Sequence, residues 1–242
     1  MKLLQLNAWG GRLEKQIVQL LKEQSADLVC LQEAISTKGD GALSVTVEQL
    51  QKYANYGHAY CSPVFSFHLM NKDALFGNAI LSRLPLATAE TIFTNQQFKA
   101  DFDFDSDDYN IRNFQHVTFN LGNHTLHVLN HHGHHIHQHK NGDEQTLRQM
   151  NQIAQYILKL EGPIILTGDF NLEPESSSIG VINLILRNLS SEYGLKTTRT
   201  QFTPKMEVCD YIFVSDEVKV SDFKALDDLV SDHKALILEF EI

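Results

Sequence analysis

Apolar segments of strand length alternate with amphipathic helical patterns in the first half of the chain, and this alternation restricts the fold more than any other feature of the sequence. Residues 2–6 and 28–32 are apolar runs that predict buried strands. Between them, apolar residues recur on one face of a helix: Leu13, Ile17, Leu20 and Leu21. The chain is therefore predicted to open with a strand, a helix and a strand.

Strands that follow one another without a helix are predicted farther along. Residues 76–81, 113–121 and 124–132 have strand patterns. The last two are separated by Gly122-Asn123, a pair typical of a tight turn, so we expect them to pair antiparallel. Further strands are predicted over residues 163–170, 208–215 and 235–241.

Two helices are predicted in the second half. Residues 143–160 place six apolar residues on one face and stop at Gly162-Pro163, and a second helix is predicted near residues 179–189. The six are Leu147, Met150, Ile153, Ala154, Ile157 and Leu158. Mixed strands with helices between them predict an α/β fold in a single domain, residues 1–242, built as a four-layer sandwich of two packed mixed β-sheets flanked by helices. A doubly wound sheet is the alternative, but the Gly-rich loop it prefers after the first strand is missing.

Composition separates some classes of protein from others. Hydrophobic residues make up 43% of the chain, which is typical of a folded globule, and the formal net charge of -10 at pH 7 disfavours tight, non-specific binding to duplex DNA. No run of about 18 apolar residues predicts a membrane span. The three cysteines lack paired spacing, so we expect buried free thiols and a reducing, cytoplasmic location.

Polar residues recur at the ends of the predicted strands, where a site is assembled in sheet proteins. They are Asn7, Glu33, His131, His132, Asp169, Asn171, Asp210, Asp232 and His233. Hydrolysis of a phosphate ester needs a hard cation, a base for water and donors for the developing negative charge. Glu33 suits the cation and Asp169 the base, while His233 can donate to phosphate if a carboxylate such as Asp210 orients it. The two asparagines offer amide donors.

The order of the motifs resembles that of a known family. The strings LNAWGG, LVCLQEA, FGNAILSRLPL, ILTGDFN, CDYIFVS and VSDHKAL, which extend from the first strand to residue 236, resemble the signature motifs of the endonuclease/exonuclease/phosphatase superfamily. The resemblance implies a phosphoester hydrolase that uses Mg²⁺ or Mn²⁺. It implies metal binding by Glu33, Asn7 and Asp232. It implies catalytic roles for Asp169, Asn171, His132, His233 and Asp210.

In similar enzymes each of these residues has a distinct role. The Glu binds the metal, the Asp of GDFN activates water and the Asn of GDFN positions that water. The final His, held by the Asp of the DYIF strand, contacts the scissile phosphate, and the Asp of SDH ligates or orients groups near the metal. Many nuclease members carry an acidic residue where this chain has Trp9, so metal binding is expected to rest more heavily on Glu33.

The middle motif, often Asn-Thr-His in the family, is Asn130-His131-His132 here. We assign the catalytic role to His132, with His131 as the alternative and as a candidate substrate contact. Arg199 and Trp9 are further candidate substrate contacts, because an arginine can hold phosphate with two N–H groups and a tryptophan can stack on a ring. The alternatives are a surface arginine in a loop and a core tryptophan.

Two unusual segments flank these motifs. Eight of the 12 histidines lie between His124 and His139, which suits a substrate-facing loop, a structural loop or a second metal site. Residues 100–108, ADFDFDSDD, fail the calcium-loop pattern because Ser106 replaces its glycine and Arg112 its glutamate. We therefore expect a solvated acidic loop that borders the pocket and repels long polyanions.

The leading prediction is a hydrolase of phosphomonoesters or phosphodiesters in which Asp169 activates the attacking water. The negative net charge and the lack of a long basic insertion favour a small phosphate ester over nucleic acid. An endonuclease or exonuclease acting on DNA or RNA is the first alternative. A non-catalytic member that binds a metal or a partner is the second, and no protein partner is inferred.

Overall fold

Two six-stranded sheets form the centre of the fold. The computed structural model describes residues 1–37, 47–69 and 72–242. In chain order the strands are β1 (Lys2–Asn7), β2 (Leu28–Thr37), β3 (His58–Leu69), β4 (Lys72–Ser82), β5 (Thr88–Asn95), β6 (Arg112–Leu121), β7 (His124–His132), β8 (Ile164–Asp169), β9 (Arg187–Asn188), β10 (Asp210–Val214), β11 (Lys219–Ala225) and β12 (Leu236–Glu241). The helices are α1 (Glu14–Gln24), α2 (Val47–Ala54), α3 (Glu144–Ile157), α4 (Ser177–Asn183) and α5 (Leu189–Glu192).

Both sheets are mixed, as predicted. The first has the order β11-β12-β1-β2-β4-β3 and the second β5-β6-β7-β8-β10-β9. The pairs β1–β2 and β7–β8 are parallel, and the pairs β6–β7 and β8–β10 are antiparallel. The expected turn at Gly122-Asn123 joins β6 to β7, with Leu121 paired to His124. Within the described ranges, no helix has the length and apolar character needed to cross a membrane.

Three apolar clusters hold four layers together. The faces of the two sheets that meet bury residues such as Leu3, Val128 and Ile165. Helices α1 and α2 pack on the outer face of the first sheet, and α3 and α4 pack on the outer face of the second. Each fully buried aliphatic side chain contributes about 1.5–3 kcal/mol. The predicted four-layer sandwich is confirmed.

The structure corrects the two helices predicted in the second half. Helix α3 ends at Ile157, and Leu147 and Leu158, expected on its buried face, are 37% and 69% exposed. The helix predicted near residues 179–189 is wrong beyond Asn183. Arg187 and Asn188 instead pair with β10, and the Asn188 side chain accepts a hydrogen bond from Ser191 N to begin α5. An asparagine favours such a cap over the middle of a helix.

Several elements lay outside the sequence prediction: α2, β3, β5, β9 and β11. Strand β5 (TAETIFTN) lies at a sheet edge and has no fully buried residue. Strand β11 has one buried residue, Phe223, among exposed and partly buried positions, and it contains three charged residues. Edge strands of this kind take their structure from the neighbouring strand, so their own residues carry a weak pattern.

Strand register gathers the predicted polar residues at one edge of the sandwich. His132 at the end of β7 is paired with Asp169 at the end of β8, and Asp169 is paired with Asp210 at the start of β10. In the other sheet, Asn7 ends β1 beside the middle of β2. The ends of strands from both sheets therefore open onto the same space.

Candidate active site

A cavity of about 640 Å³ lies where these strand ends meet. Most of its lining side chains are charged or can donate and accept hydrogen bonds. It is lined by Trp9, Glu33, Phe76, Asp107, Asp108, Tyr109, Asn110, Arg112, His132, His135, His137, Asp169, Asn171, Arg199, Lys205, Asp232 and His233. The acidic segment predicted to border the pocket does so through Asp107 and Asp108.

Asp169 lies at the floor of the cavity and is 2% exposed. Its Oδ1 accepts a hydrogen bond from Asn171 N at 2.9 Å, and its Oδ2 accepts one from Asn7 Nδ2 at 3.0 Å. His132 Nε2 and His233 Nε2 lie 3.8 Å and 3.6 Å from Oδ2. Burial alone raises the pKa of Asp169, but His233, followed by His132, outweighs it and lowers the pKa. The carboxylate is therefore ionised and can accept a proton.

Glu33 reaches the cavity because β2 is irregular at this point. The pairing of β2 with β4 shifts between Leu31 and Ala34, and Glu33 has a φ of 51°. A bulge of this kind redirects one side chain out of the alternating pattern. Asn7 Nδ2 donates to Glu33 Oε1 at 3.1 Å as well as to Asp169, so one amide links the two carboxylates across the two sheets.

The carboxylates crowd negative charge at this end of the cavity. Burial is the main cause of the raised pKa of Glu33, and the nearby charges of Asp169 and Asp232 raise it further against Asn7 and His233, which lower it. Carboxylate and amide oxygens are the ligands that Mg²⁺ prefers, and a divalent cation would relieve the repulsion. The carboxylates of Glu33 and Asp232 therefore fit a hard cation. Asn7, also expected as a ligand, turns its amide nitrogen to Glu33 and Asp169, while its Oδ1 accepts a hydrogen bond from Trp9 N at 3.0 Å.

A second group of ligand atoms lies deeper. Atoms of Asp169, Cys209, Asp210 and His233 lie within 4.8 Å of one another, and all four residues are buried. Burial raises the pKa of the Cys209 thiol, which disfavours the thiolate that a metal needs. Protein donors already occupy the Asp210 carboxylate. The carboxylates that face the cavity are thus the better cation site.

His233 is held by a buried hydrogen-bond network. Asp210 Oδ2 accepts from His233 Nδ1 at 2.8 Å and from Thr198 Oγ1 at 2.6 Å, while Oδ1 accepts from Gln5 Nε2 at 3.1 Å. This leaves His233 Nε2 facing Asp169 and the cavity. Burial lowers the pKa of His233, but the charges of Asp210 and Asp169 outweigh it and the pKa is raised. The ring therefore holds a proton to higher pH than a free histidine does.

Arg199 lies beside His233 instead of on the surface. It pairs with His233 in an antiparallel bridge, is 6% exposed and lines the cavity. Its Nη1 contacts His233 Nε2 and lies 3.9 Å from Asp232 Oδ2. A guanidinium can only donate, so Nε2 can accept from Arg199 only while the His233 ring is neutral, with its proton on Nδ1. An anion between the two side chains would give both of them an acceptor.

The other two candidate substrate contacts have different environments. Trp9 is partly exposed at the cavity wall, stacked on Phe202 at 5.9 Å between ring centroids, with the Arg12 guanidinium 4.6 Å from its ring. His131 is fully buried and outside the cavity, with Nδ1 3.2 Å from Asn113 O. This position does not fit the substrate contact expected of His131. Successive residues of a strand point to opposite faces, and His132 has the cavity side.

The His-rich segment has several roles. His132, His135 and His137 line the cavity, whereas His127 contacts His116 Nε2 through Nδ1 at 2.9 Å on a different part of the second sheet. Among the residues that the structure describes, the segment does not gather three ligands for a second metal. A loop that faces the substrate is the interpretation that the geometry supports.

The sequence analysis missed several cationic residues of the site, among them Lys140 and Arg112. Lys140 Nζ donates to Asn171 Oδ1 at 2.8 Å, and burial lowers the pKa of this lysine to about 8. Arg112 lines the cavity at the start of β6. Both residues lie in or next to loops without a repeating pattern, and only the packing of distant segments brings them to Asp169.

Comparisons with known proteins agree with this geometry. The model of the Endonuclease/Exonuclease/phosphatase family matches residues 4–233. No curated protein matches the chain in sequence. A family protein from Leptotrichia buccalis C-1013-b superposes with a TM-score of 0.73 at 18% identity, over 100% of both chains.

Two further structures with the same fold are of named proteins. A mannosyl-6-phosphatase from Bacteroides thetaiotaomicron VPI-5482 has a TM-score of 0.75 at 17% identity, over 100% of both chains. Humanized TDP2 of D. rerio has a TM-score of 0.73 at 16% identity, over 100% of this chain and 99% of that one. At these identities the structures show a shared fold. Because the family model spans nearly all of a chain with this fold, the protein belongs to the endonuclease/exonuclease/phosphatase family.

Proposed function

We propose that the protein is a divalent-metal-dependent hydrolase of phosphoesters. The observation that carries this proposal is the position of the Asp169 carboxylate, which is fixed between Asn7 and Asn171 in a cavity that Glu33 also faces. Each oxygen of this carboxylate accepts one hydrogen bond from the protein, so lone pairs remain that can accept a hydrogen bond from a water molecule.

The residues divide the reaction between them. Asp169 accepts a proton from a water molecule while the oxygen of that water attacks phosphorus, and the ester P–O bond breaks. His233, oriented by Asp210, returns a proton to the leaving oxygen when its ring is protonated. Arg199 donates to phosphate oxygens, and preorganised donors of this kind stabilise the charge that develops in the transition state.

Glu33 and Asp232 would hold Mg²⁺ or Mn²⁺, and Asn7 would position Glu33 through its amide N–H group. When bound, the cation would neutralise phosphate oxygens and the leaving group. A non-catalytic binder with this fold would not require Asp169 and His233 to face one cavity, nor Asp210 to orient the His233 ring. Catalysis is therefore favoured over a purely binding role.

A small phosphate ester is favoured as the substrate. The net charge of -10 and the acidic residues Asp107 and Asp108 at the cavity oppose the approach of a long polyanion. One structure with the same fold is a mannosyl-6-phosphatase, while another, D. rerio TDP2, is complexed with a single-strand DNA product. The Trp9–Phe202 stack is the feature that favours the nuclease alternative, because aromatic rings can hold unpaired bases.

The test is hydrolysis of a substrate panel by enzyme freed of metal. The panel contains sugar phosphates, nucleoside monophosphates, phosphodiesters, single-stranded RNA and duplex DNA, each assayed with chelator, with Mg²⁺ and with Mn²⁺. We expect turnover of a small ester only when a cation is supplied, and we expect Glu33→Gln to raise the cation concentration required. Glu23→Gln, a change on an exposed face of α1, is the matched control.

Full activity of the verified metal-free enzyme would remove the metal from the proposal. If duplex DNA were cleaved faster than every small ester at pH 7.5, the nuclease alternative would replace the small-ester hydrolase.

A further inference from the structure

Arg112 is a buried cation whose hydrogen bonds leave its charge unmatched. It is 6% exposed and lines the cavity. Its Nε donates to Gly133 O at 2.7 Å, and its Nη1 donates to Tyr109 O at 2.9 Å and Ile111 O at 3.3 Å. All three acceptors are neutral carbonyl oxygens. None of the ion pairs found among the described residues near the cavity includes Arg112.

A structural link between these loops does not need a charge. Burial lowers the pKa of Arg112, while the charges of Glu33 and Asp169, which do not contact it, act in the opposite direction. A neutral amide could donate to the same carbonyls without the cost of burying an ion. The guanidinium, fixed by three bonds at the wall of the cavity, is therefore suited to bind an anion that enters.

Two more cations near Asp169 are buried in a similar way. Lys140 is 6% exposed, and its Nζ donates to an amide oxygen, Asn171 Oδ1, at 2.8 Å. Arg199 is also 6% exposed, and its Nε has no hydrogen-bond partner within the described part of the chain. Both cations act electrostatically on Asp169, which places them at the end of the cavity where the reaction is proposed.

We propose that Arg112, with Lys140 and Arg199, selects a terminal phosphate, so that the enzyme hydrolyses phosphomonoesters in preference to phosphodiesters. This inference rests on the proposed function. A phosphomonoester carries about -1.5 to -2 charges at pH 7 and offers three unesterified oxygens, whereas a diester carries one charge and offers two. Arg112 Nη2, which these bonds leave free, carries two N–H groups that can donate to unesterified phosphate oxygens.

The experiment compares one monoester with its own diester. The best monoester of the panel and its methyl ester, which differ only in one capped phosphate oxygen, are assayed with Mg²⁺ at pH 7.5. We expect Arg112→Met to lower kcat/KM for the monoester about 10- to 100-fold, which is the loss typical of a charged hydrogen bond. The kcat/KM for the diester should change by less than about threefold. Arg112→Lys keeps the charge without the planar guanidinium. Its kcat/KM for the monoester should lie between those of the wild type and Arg112→Met. Arg83→Met, an exposed arginine stacked on Tyr56, is the control.

Binding of inorganic phosphate gives a readout that does not depend on turnover. By calorimetry, with and without Mg²⁺, we expect the phosphate affinity of Arg112→Met to be at least about tenfold weaker than that of the wild type, while Arg83→Met binds normally. Thermal unfolding checks that each variant is folded. If Arg112→Met does not fold, the same measurements are made on Arg112→Lys.

The outcomes separate the two proposals. An equal loss of kcat/KM for both esters in Arg112→Met, or a wild type that prefers the diester, would overturn the monoester inference. Either result would leave the proposed hydrolase function standing. Arg112-dependent phosphate binding by a protein that hydrolyses no ester would support the anion site and overturn the proposed function.

Discussion

At the scale of single residues, the side chains nearest the proposed reaction have their positions fixed by protein partners before any substrate binds. One amide, Asn7 Nδ2, contacts both Glu33 and Asp169 at 3.1 Å and 3.0 Å. The Asp210 carboxylate is shared by His233, Thr198 and Gln5. Side chains held in this way need little rearrangement when charge develops, which is the main source of electrostatic catalysis.

Asp210→Asn tests whether Asp210 sets the proton affinity of His233. The charges of Asp210 and Asp169 raise the pKa of His233 above its ordinary value, against the effect of burial. The His233 ring is therefore fully protonated at low pH, and it loses its second proton as the pH rises through the raised pKa. Removing the Asp210 charge should lower this pKa, so we expect the alkaline limb of the kcat/KM profile to move to lower pH.

The measurement is a pH–rate profile between about pH 5 and 9, where a bell-shaped curve reports the groups of the free enzyme. Asp216→Asn, an exposed change just after β10, should leave the profile unchanged. If the alkaline limb of Asp210→Asn stays where it is in the wild type, His233 is not the group that titrates there.

The sequence predicts these residues unevenly, for physical reasons. Asp169, Asp210 and His233 each adjoin a predicted strand in a short, ordered motif, so their convergence follows from the sheet. His131 and His132 are adjacent, and the sequence does not say which of them faces the cavity. Lys140 reaches Asn171 from a loop 31 positions away in sequence, a contact that only the tertiary fold creates.

At the scale of elements, the end of β8 depends on a close approach between strands. Gly168 has a φ of 146°, and a Cβ added to it would lie 1.8 Å from His131 O in β7. This backbone conformation is open mainly to glycine, and the neighbouring strand cannot move without shifting His132 and Asp169. The glycine of GDFN therefore fixes the spacing of the two strand ends that carry the site.

Gly168→Ala should therefore destabilise the fold strongly. We expect a loss on the order of 3 kcal/mol or more in the free energy of unfolding by urea, because backbone strain and a steric clash coincide. Gly180→Ala is the matched control. Gly180 lies in α4 with no atom within 4 Å of an added Cβ, and alanine there should stabilise by up to about 1 kcal/mol. A Gly168→Ala variant within about 1 kcal/mol of the wild type would contradict this role for the strand contact.

Elements with their own strong pattern were predictable, and those that depend on neighbours were not. Helix α1 buries Ile17, Leu20 and Leu21 on the face that its apolar spacing predicted. The short β9 consists of Arg187 and Asn188, which become a strand only by pairing with β10. The sequence pattern predicted a helix through these two residues. In the structure they pair with β10 instead, and Asn188 caps the helix that follows.

At the scale of the whole molecule, the site exists only when the two sheets pack together. The first sheet supplies Asn7 and Glu33, and the second supplies His132, Asp169 and Asp210. The hydrogen bond from Asn7 to Asp169 spans the boundary. The formal net charge of -10 opposes extended polyanions, while buried cations near Asp169 favour a single phosphate group. Global and local charge are thus both consistent with the small phosphate ester that we propose as the substrate.

The most direct test of this account is the turnover of Asp169→Asn. Asparagine keeps the shape of the side chain and an acceptor for Asn171 N, but it cannot take a proton from water. With saturating Mg²⁺ and the best substrate of the panel, we expect kcat to fall about 10² to 10⁴-fold, or roughly 3 to 5 kcal/mol of barrier. The unfolding midpoint and Mg²⁺ affinity should stay close to those of the wild type. Near-normal turnover by this folded variant would show that Asp169 is not the base and would contradict the proposed mechanism.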